Sequence, residues 1–207
     1  MREEFQNIGF SDSAKSAECL AVIVGDDADA LAPALADALQ YAADPTTVLV
    51  RMDRYFEMCI NPRTERALMA AMPRYTEMLV AIFDQSHYLT DIVCRNPEFV
   101  SWLWEEASLD AAVSRGQQEE ELRRQIAAFD NFGSRAASMR RFKRREFLRV
   151  AVRDIFVHSP LQSLIEDMSN LADAMVAVAY ECAYTEVSAR YGVPQVEHGE
   201  EKAAFSV

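Results

Sequence analysis

Met139-Arg-Arg-Phe-Lys-Arg-Arg-Glu-Phe-Leu-Arg-Val-Ala-Val-Arg-Asp-Ile-Phe156 is the stretch on which the reading of this chain turns. Phe147, Leu148, Ala151, Val152, Ile155 and Phe156 recur at i, i+1, i+4, i+5, i+8 and i+9, which makes one apolar face at about 3.6 residues per turn. Glu146, Arg149 and Arg153 fall on the opposite side of that wheel. The simplest physical reading is a core helix whose basic face is solvated or paired with acids of the same chain.

Composition extends that helical reading to the rest of the sequence. The chain has 207 residues, enough for one large domain or two small ones with a real core. Half of the residues are hydrophobic, glycine (6) and proline (7) are scarce, and strand-like runs are nearly absent. The expected fold is all-α: an array of short antiparallel helices followed by two longer helices. One candidate strand, Ala203-Ala-Phe-Ser-Val207, stands at the C-terminal end.

The formal net charge is −12, yet between Arg135 and Arg153 eight cations face a single acid, Glu146, so this segment carries +7 and the remainder −19. Repulsion between the acidic remainder and phosphates argues against nonspecific nucleic-acid binding. Cys19, Cys59, Cys94 and Cys182 are far apart, with no histidine at ligand spacing. They argue against a local zinc site and a disulfide framework, and Cys59, Cys94 and Cys182 read as small buried hydrophobes. The early apolar run from Cys19 to Val24 is too short to span a membrane and no signal peptide opens the chain, so a cytoplasmic protein is expected.

Along the chain, punctuation marks the helices. Leu20 to Val24 reads as a helix end before Gly25. From Asp26 to Ala43 an alanine-rich helix carries Leu31, Leu35 and Leu39 at four-residue spacing. Asp44-Pro45, Asn61-Pro62 and Asn96-Pro97 each offer a capping side chain followed by the residue that loses nothing at the first helical position. Met72-Pro73 interrupts a helix and Ser86 caps the next. Val48, Met52, Tyr55, Phe56 and Cys59 form one face, and Tyr75, Leu79, Ile82 and Phe83 another. Phe99, Val100, Leu103 and Trp104 read as core packing rather than a ligand platform. Ser114-Arg-Gly116 reads as a turn before a charged helix with Leu122, Ile126 and Phe129 inward, and Asn131 to Ser134 as a hinge. Phe156 to Pro160 reads as a connector. Ser163-x-x-Glu166 has the capping-box pattern, and a long helix is expected from about Asn170 to Tyr191, closed by Gly192 and Pro194. The expected domains are 1–134, the helical array, and 135–207, which holds the basic helix, the long helix and the C-terminal segment.

No motif for catalysis accompanies these helices. There is no glycine-rich phosphate loop, and Asp27-x-Asp29 opens an alanine-rich helix, where acids act as caps rather than metal ligands. His87, His158 and His198 stand alone, so no Ser-His-Asp arrangement is supported. No catalytic, cofactor-binding or metal-binding residue is assigned.

Four pieces in order carry a family likeness. They are Phe83-Asp-Gln-Ser-His-Tyr-Leu-Thr90 with Arg95-Asn-Pro-Glu-Phe99; Arg140-Arg-Phe-Lys-Arg-Arg-Glu-Phe-Leu-Arg149 with Arg153-Asp154; Ser169-Asn-Leu-Ala-Asp173; and Tyr191-Gly-Val-Pro194. Over residues 75 to 207 the chain resembles the N-terminal region of the bacterial glutamine synthetase adenylyltransferases; residues 1 to 60 match only loosely.

The resemblance implies a bifunctional enzyme that transfers AMP from ATP to a tyrosine of glutamine synthetase and removes it by phosphorolysis under control of a PII signal protein. It also implies that the helices precede a nucleotidyltransferase domain, which starts at the end of the 135–207 segment and whose Gly-Gly turn and Asp-x-Asp pair hold ATP and Mg2+. Phe205-Ser-Val207 resembles the first strand leading to that turn, and the chain ends before the acids. A fragment that is inactive alone is therefore expected. Arg140, Arg141, Arg144, Arg145, Arg149 and Arg153 are the candidate face toward a partner or the nucleotide, against the competing reading that they pair with acids of this chain such as Asp154, Glu166 and Asp173. The alternative function is a stand-alone, non-enzymatic helical interaction module.

Overall fold

Proline and Asx residues start the helices in the computed structural model, which describes residues 3–25, 28–105, 107 and 109–194. The candidate strand at 203–207, His198 and Asp27 lie outside the described residues. Within them the chain forms a 3-10 turn, Glu3–Phe5, and ten α-helices, with no strand, so the fold is all-α. The helices are α1 (Ser13–Val24), α2 (Ala28–Leu39), α3 (Pro45–Met58), α4 (Pro62–Ala71), α5 (Pro73–Gln85), α6 (His87–Arg95), α7 (Glu98–Glu105), α8 (Arg115–Ile126), α9 (Phe132–Ile155) and α10 (Leu161–Tyr191).

The caps explain most boundaries. Asp44 accepts from Thr46 N and Asn61 from Thr64 N, each ahead of a proline in the first helical turn. Ser86 accepts from Leu89 N to start α6. At Asn96-Pro97 the arrangement differs, since α7 begins at Glu98 and the Asn96 amide donates back to the Ile92 carbonyl, 3.1 Å away, closing α6. Met72 alone separates α4 from α5.

Residues cluster into two compact units. The first comprises Met1–Leu109 and Ala151–His158, and the second Asp110–Val150 and Ser159–Val207. In the first unit Leu31, Leu35 and Leu39 of α2 are all fully buried, as are Tyr75, Leu79, Ile82 and Phe83 of α5. Each such aliphatic side chain contributes roughly 1.5–3 kcal/mol on burial. Gly25 closes α1 at φ 54°, where a side chain would be strained and its Cβ would lie 3.2 Å from Arg66 Nε. That arginine donates to the Ile23 and Val22 carbonyls, each at 2.8 Å, and so satisfies the last turn of α1 from α4.

In the second unit α8, α9 and α10 share a core of Leu122, Ile126, Met139, Phe142, Leu171, Val178 and Cys182. Several expectations are corrected here. Ser114 is not part of a free turn: it caps α8 in a capping box with Gln117, and Gly116 lies inside the first helical turn. Phe129 is not inward; it is 39% exposed, because α8 ends at Ile126. The expected hinge is a helix start, with Asn131 Oδ1 accepting from Ser134 N at 2.8 Å. Finally, α10 runs 31 residues from Leu161 with Pro160 at its N-cap and no side-chain cap, so Ser163 and Glu166 lie within a helix and form no capping box. Gly192 does close it, at φ 86°.

Candidate functional site

The basic run lies on α9, but its cations divide into an outer row and an inner pair. Arg140, Arg141 and Lys143 are exposed, and Arg144 and Arg145 are half-buried. Arg149 and Arg153, opposite the apolar face on the wheel, are interior side chains, 1% and 0% exposed, and Glu146 is buried as well. The apolar periodicity had identified only one side of a helix that is enclosed on several. Leu148 and Val152 are indeed buried, whereas Phe147, Ala151, Ile155 and Phe156 are only partly so.

What encloses Arg149 is a set of carboxylates in the second unit. Its Nη1 and Nη2 donate to Asp167 Oδ2 and Oδ1 at 2.9 and 2.5 Å, a two-pronged pairing, and its Nε donates to Glu146 Oε2 at 2.8 Å. The carboxylates are held in turn. Val113 N donates to Asp167 Oδ1 at 3.1 Å, Gln118 Nε2 to Glu146 Oε2 at 3.4 Å, and Arg145 Nη2 to Glu146 Oε1 at 2.8 Å. Burial, the largest single influence on Arg149, works to lower its pKa, yet the hydrogen bonds to Asp167 and Glu146 together hold it above the ordinary arginine value. The guanidinium is thus permanently charged and structurally committed. Arg153 belongs to the first unit, where its Nε donates to the Leu109 carbonyl at 3.1 Å.

Internal pairing therefore joins Arg149 to Glu146 and Asp167, and Arg145 to Glu146. Asp173 approaches Arg115 at 3.9 Å. Glu146 and Arg149 stand at helical i, i+3 spacing and were readable as a pair. Asp167 was hidden because the residues around it looked like a helix start, whereas they are the interior of α10.

The first unit holds a second polar cluster. Tyr75 Oη donates to Glu65 Oε1 at 2.7 Å and Tyr55 Oη to the same oxygen at 3.1 Å. Burial pushes the Glu65 carboxyl above its ordinary value, and the two hydroxyls only partly offset this. Burial likewise raises both tyrosines, and it pushes the neighbouring Cys59 thiol up to about 11, which makes that cysteine a poor nucleophile. The same unit has a cleft of about 540 Å³ bounded by α2, α5 and the connector after α9. Arg74 stacks there over the Phe156 ring, 5.0 Å from its centroid, and His158 takes a positive φ of 57° at the rim. Glu77 and Asp84 add negative charge to the cation, over an alanine and valine floor.

Among the described residues no group of three or more His, Cys, Asp or Glu converges on a point that could hold a metal ion. Nor is any helix among the described residues long and apolar enough to cross a membrane.

Comparison with known proteins gives this helical assembly its context. The family model described as glutamate-ammonia ligase adenylyltransferase matches residues 76–207, which run from α5 through α10. The bifunctional glutamine synthetase adenylyltransferase/adenylyl-removing enzyme of Shewanella frigidimarina is 30% identical over 149 residues, covering 71% of this chain and 15% of that protein. The protein of the same description in Thioalkalivibrio sulfidiphilus is 25% identical over 169 residues, covering 81% and 17% respectively. That of Shewanella loihica is 28% identical over 122 residues, covering 59% and 13%. The matched stretch is therefore under a fifth of the length of each of these relatives.

Proposed function

Since the chain belongs to the glutamate-ammonia ligase adenylyltransferase family, we propose that it is the helical portion of a glutamine synthetase adenylyltransferase/adenylyl-removing enzyme and serves as scaffold and target-binding surface rather than as the centre of AMP transfer. The observation that carries this reading is the continuous family match over 76–207, spanning α5 to α10 and including the whole basic run. In this reading ATP, Mg2+ and the PII signal protein act on the nucleotidyltransferase part of such an enzyme. In-line transfer at phosphorus needs acids that hold metal against the triphosphate. The helices of the second unit instead pair Arg145 and Arg149 with Glu146 and Asp167, while Arg140, Lys143 and Arg144 are left on the outer side of α9.

The test uses the 207-residue protein, glutamine synthetase, ATP and Mg2+. Expected are saturable binding to glutamine synthetase by sedimentation or surface plasmon resonance, and no transfer of labelled AMP above the level without the chain. Transfer by the chain alone would overturn the scaffold assignment, and absence of binding would overturn the target-binding assignment.

A further inference from the structure

We propose that the outward row of α9 formed by Arg140, Lys143 and Arg144 is a docking surface for a carboxylate-rich patch on a partner protein. The identification of that partner as glutamine synthetase rests on the functional reading above, but the surface itself does not.

Spacing is the first ground. The three residues stand at i, i+3 and i+4, so their Cβ atoms lie about 5–6 Å apart on one face, where like charges repel. A helix gains nothing in folding from such a row. The neighbouring cations show what folding does with charge when it can: Arg115 and Arg123 pair with Glu119 at 2.7 and 2.9 Å, Arg123 also with Glu181 at 2.7 Å, Arg124 with Glu121, and Arg145 and Arg149 with Glu146. Glu119, Glu121, Glu146 and Glu181 are thereby already engaged, and among the described residues no acid forms an ion pair with Arg140, Lys143 or Arg144.

The second ground is a missing acceptor. Among the described residues Arg144 Nε is the only buried side-chain nitrogen or oxygen without a hydrogen-bond partner. Buried donors are ordinarily satisfied; here no acceptor among the described residues fixes the Arg144 guanidinium, in contrast to Arg149, whose Nε donates to Glu146. Arg144 falls within the unpaired row.

Charge complementarity selects the occupant. Guanidinium groups match carboxylates in two-pronged geometry, as Arg149 does with Asp167 inside the same unit. A nucleic acid offers a long line of phosphates, and a chain of net charge −12 with one short cationic row repels most of that line. A folded protein can present two or three carboxylates locally without the rest, which suits a row one helical turn long.

The experiment measures anisotropy of a fluorescent oligoglutamate peptide at low salt with the full 207-residue chain and with R140E/R144E. Expected is binding that weakens as salt rises and that falls at least tenfold in the variant, with the same thermal midpoint and helical circular dichroism. Should the reversal disturb folding, R140Q/R144Q is used. It removes repulsion and no ion pair, so it keeps or raises the midpoint while still losing binding. Equal binding by folded variant and wild type, or no binding by wild type, overturns the surface. So does preferential binding of a single-stranded RNA oligonucleotide of the same charge. The functional reading fails separately: glutamine synthetase not bound by a wild-type chain that does bind oligoglutamate sinks that reading and leaves the docking surface standing.

Discussion

In the first unit the Glu65 carboxylate is covered by two tyrosine hydroxyls; in the second the Arg149 guanidinium is covered by two carboxylates. Both solve the problem of removing a charge from water, and they do so with different consequences. Neutral donors satisfy lone pairs but leave the charge uncancelled, so burial raises the Glu65 pKa and the site is easier to occupy when protonated. Opposite charges cancel, so the Arg149 site keeps its ionisation and depends on every member being present. The basic helix is therefore two objects: an inner charge that assembles α8, α9 and α10, and an outer row that assembles nothing within the chain.

Of the two buried charges, Arg149 should be the more costly to remove. Replacing it by Met strands Asp167 and Glu146 without their cation and is expected to cost about 3–5 kcal/mol. Hydrogen exchange resolved on α8–α10 during urea unfolding would show it. A loss under about 1 kcal/mol means the network is not what holds the unit. R149M combined with E146Q and D167N is expected to recover much of the loss, since the stranded charges are then gone.

Next in size is Glu65→Leu, which deprives two hydroxyls of their acceptor and is expected to cost about 1–3 kcal/mol. Trp104 reports on this unit because its ring packs edge-on against Tyr75 at 5.4 Å. Unchanged unfolding followed by that fluorescence would show that the hydroxyls find other partners.

A smaller effect lies in pH. Because the folded pKa of Glu65 is raised above the ordinary 4.5, the folded state holds its proton more tightly than the unfolded one. The stability from Glu65 is therefore fully present below its unfolded pKa and is lost as pH rises through the folded value. Stability measured across that window should fall more steeply with pH in the wild type than in Glu65→Gln. Identical slopes would place the pH dependence elsewhere.

Smallest are the helix starts. Ser114→Ala removes a real capping box and is expected to cost about 1 kcal/mol. Glu166→Ala, at an exposed position inside α10, should stay within about 0.5 kcal/mol. The reverse order would restore the boundary that sequence pattern places near Ser163.

Much of the fold was legible because its signals are local. Asp44-Pro45, Asn61-Pro62 and Ser86 cap helices as their chemistry requires, and the leucines of α2 and the Tyr75 to Phe83 face are buried at the positions periodicity assigns. The failures are where two local patterns look alike. Ser163-x-x-Glu166 carries the cap pattern inside α10, whereas Ser114-Arg-Gly116, which reads as a turn, is the start of α8 with a capping box to Gln117. The wheel of α9 left open whether its basic face is solvated or paired, because an arginine facing a neighbouring helix's aspartate is buried as firmly as a leucine and polarity alone does not tell the two apart.

Helicity, most helix starts, the concentration of positive charge in one segment of an acidic protein and the family resemblance can all be read from the order of residues alone. They follow from propensity, capping and composition, which act within a few residues. The interior placement of Arg149 and Arg153, with Arg140, Lys143 and Arg144 forming no ion pair among the described residues, was decided by tertiary packing. It depends on Asp167, eighteen residues beyond Arg149 on another helix, and on the Leu109 carbonyl, forty-four residues before Arg153. A charge goes inside only where packing brings an opposite charge or an acceptor to meet it.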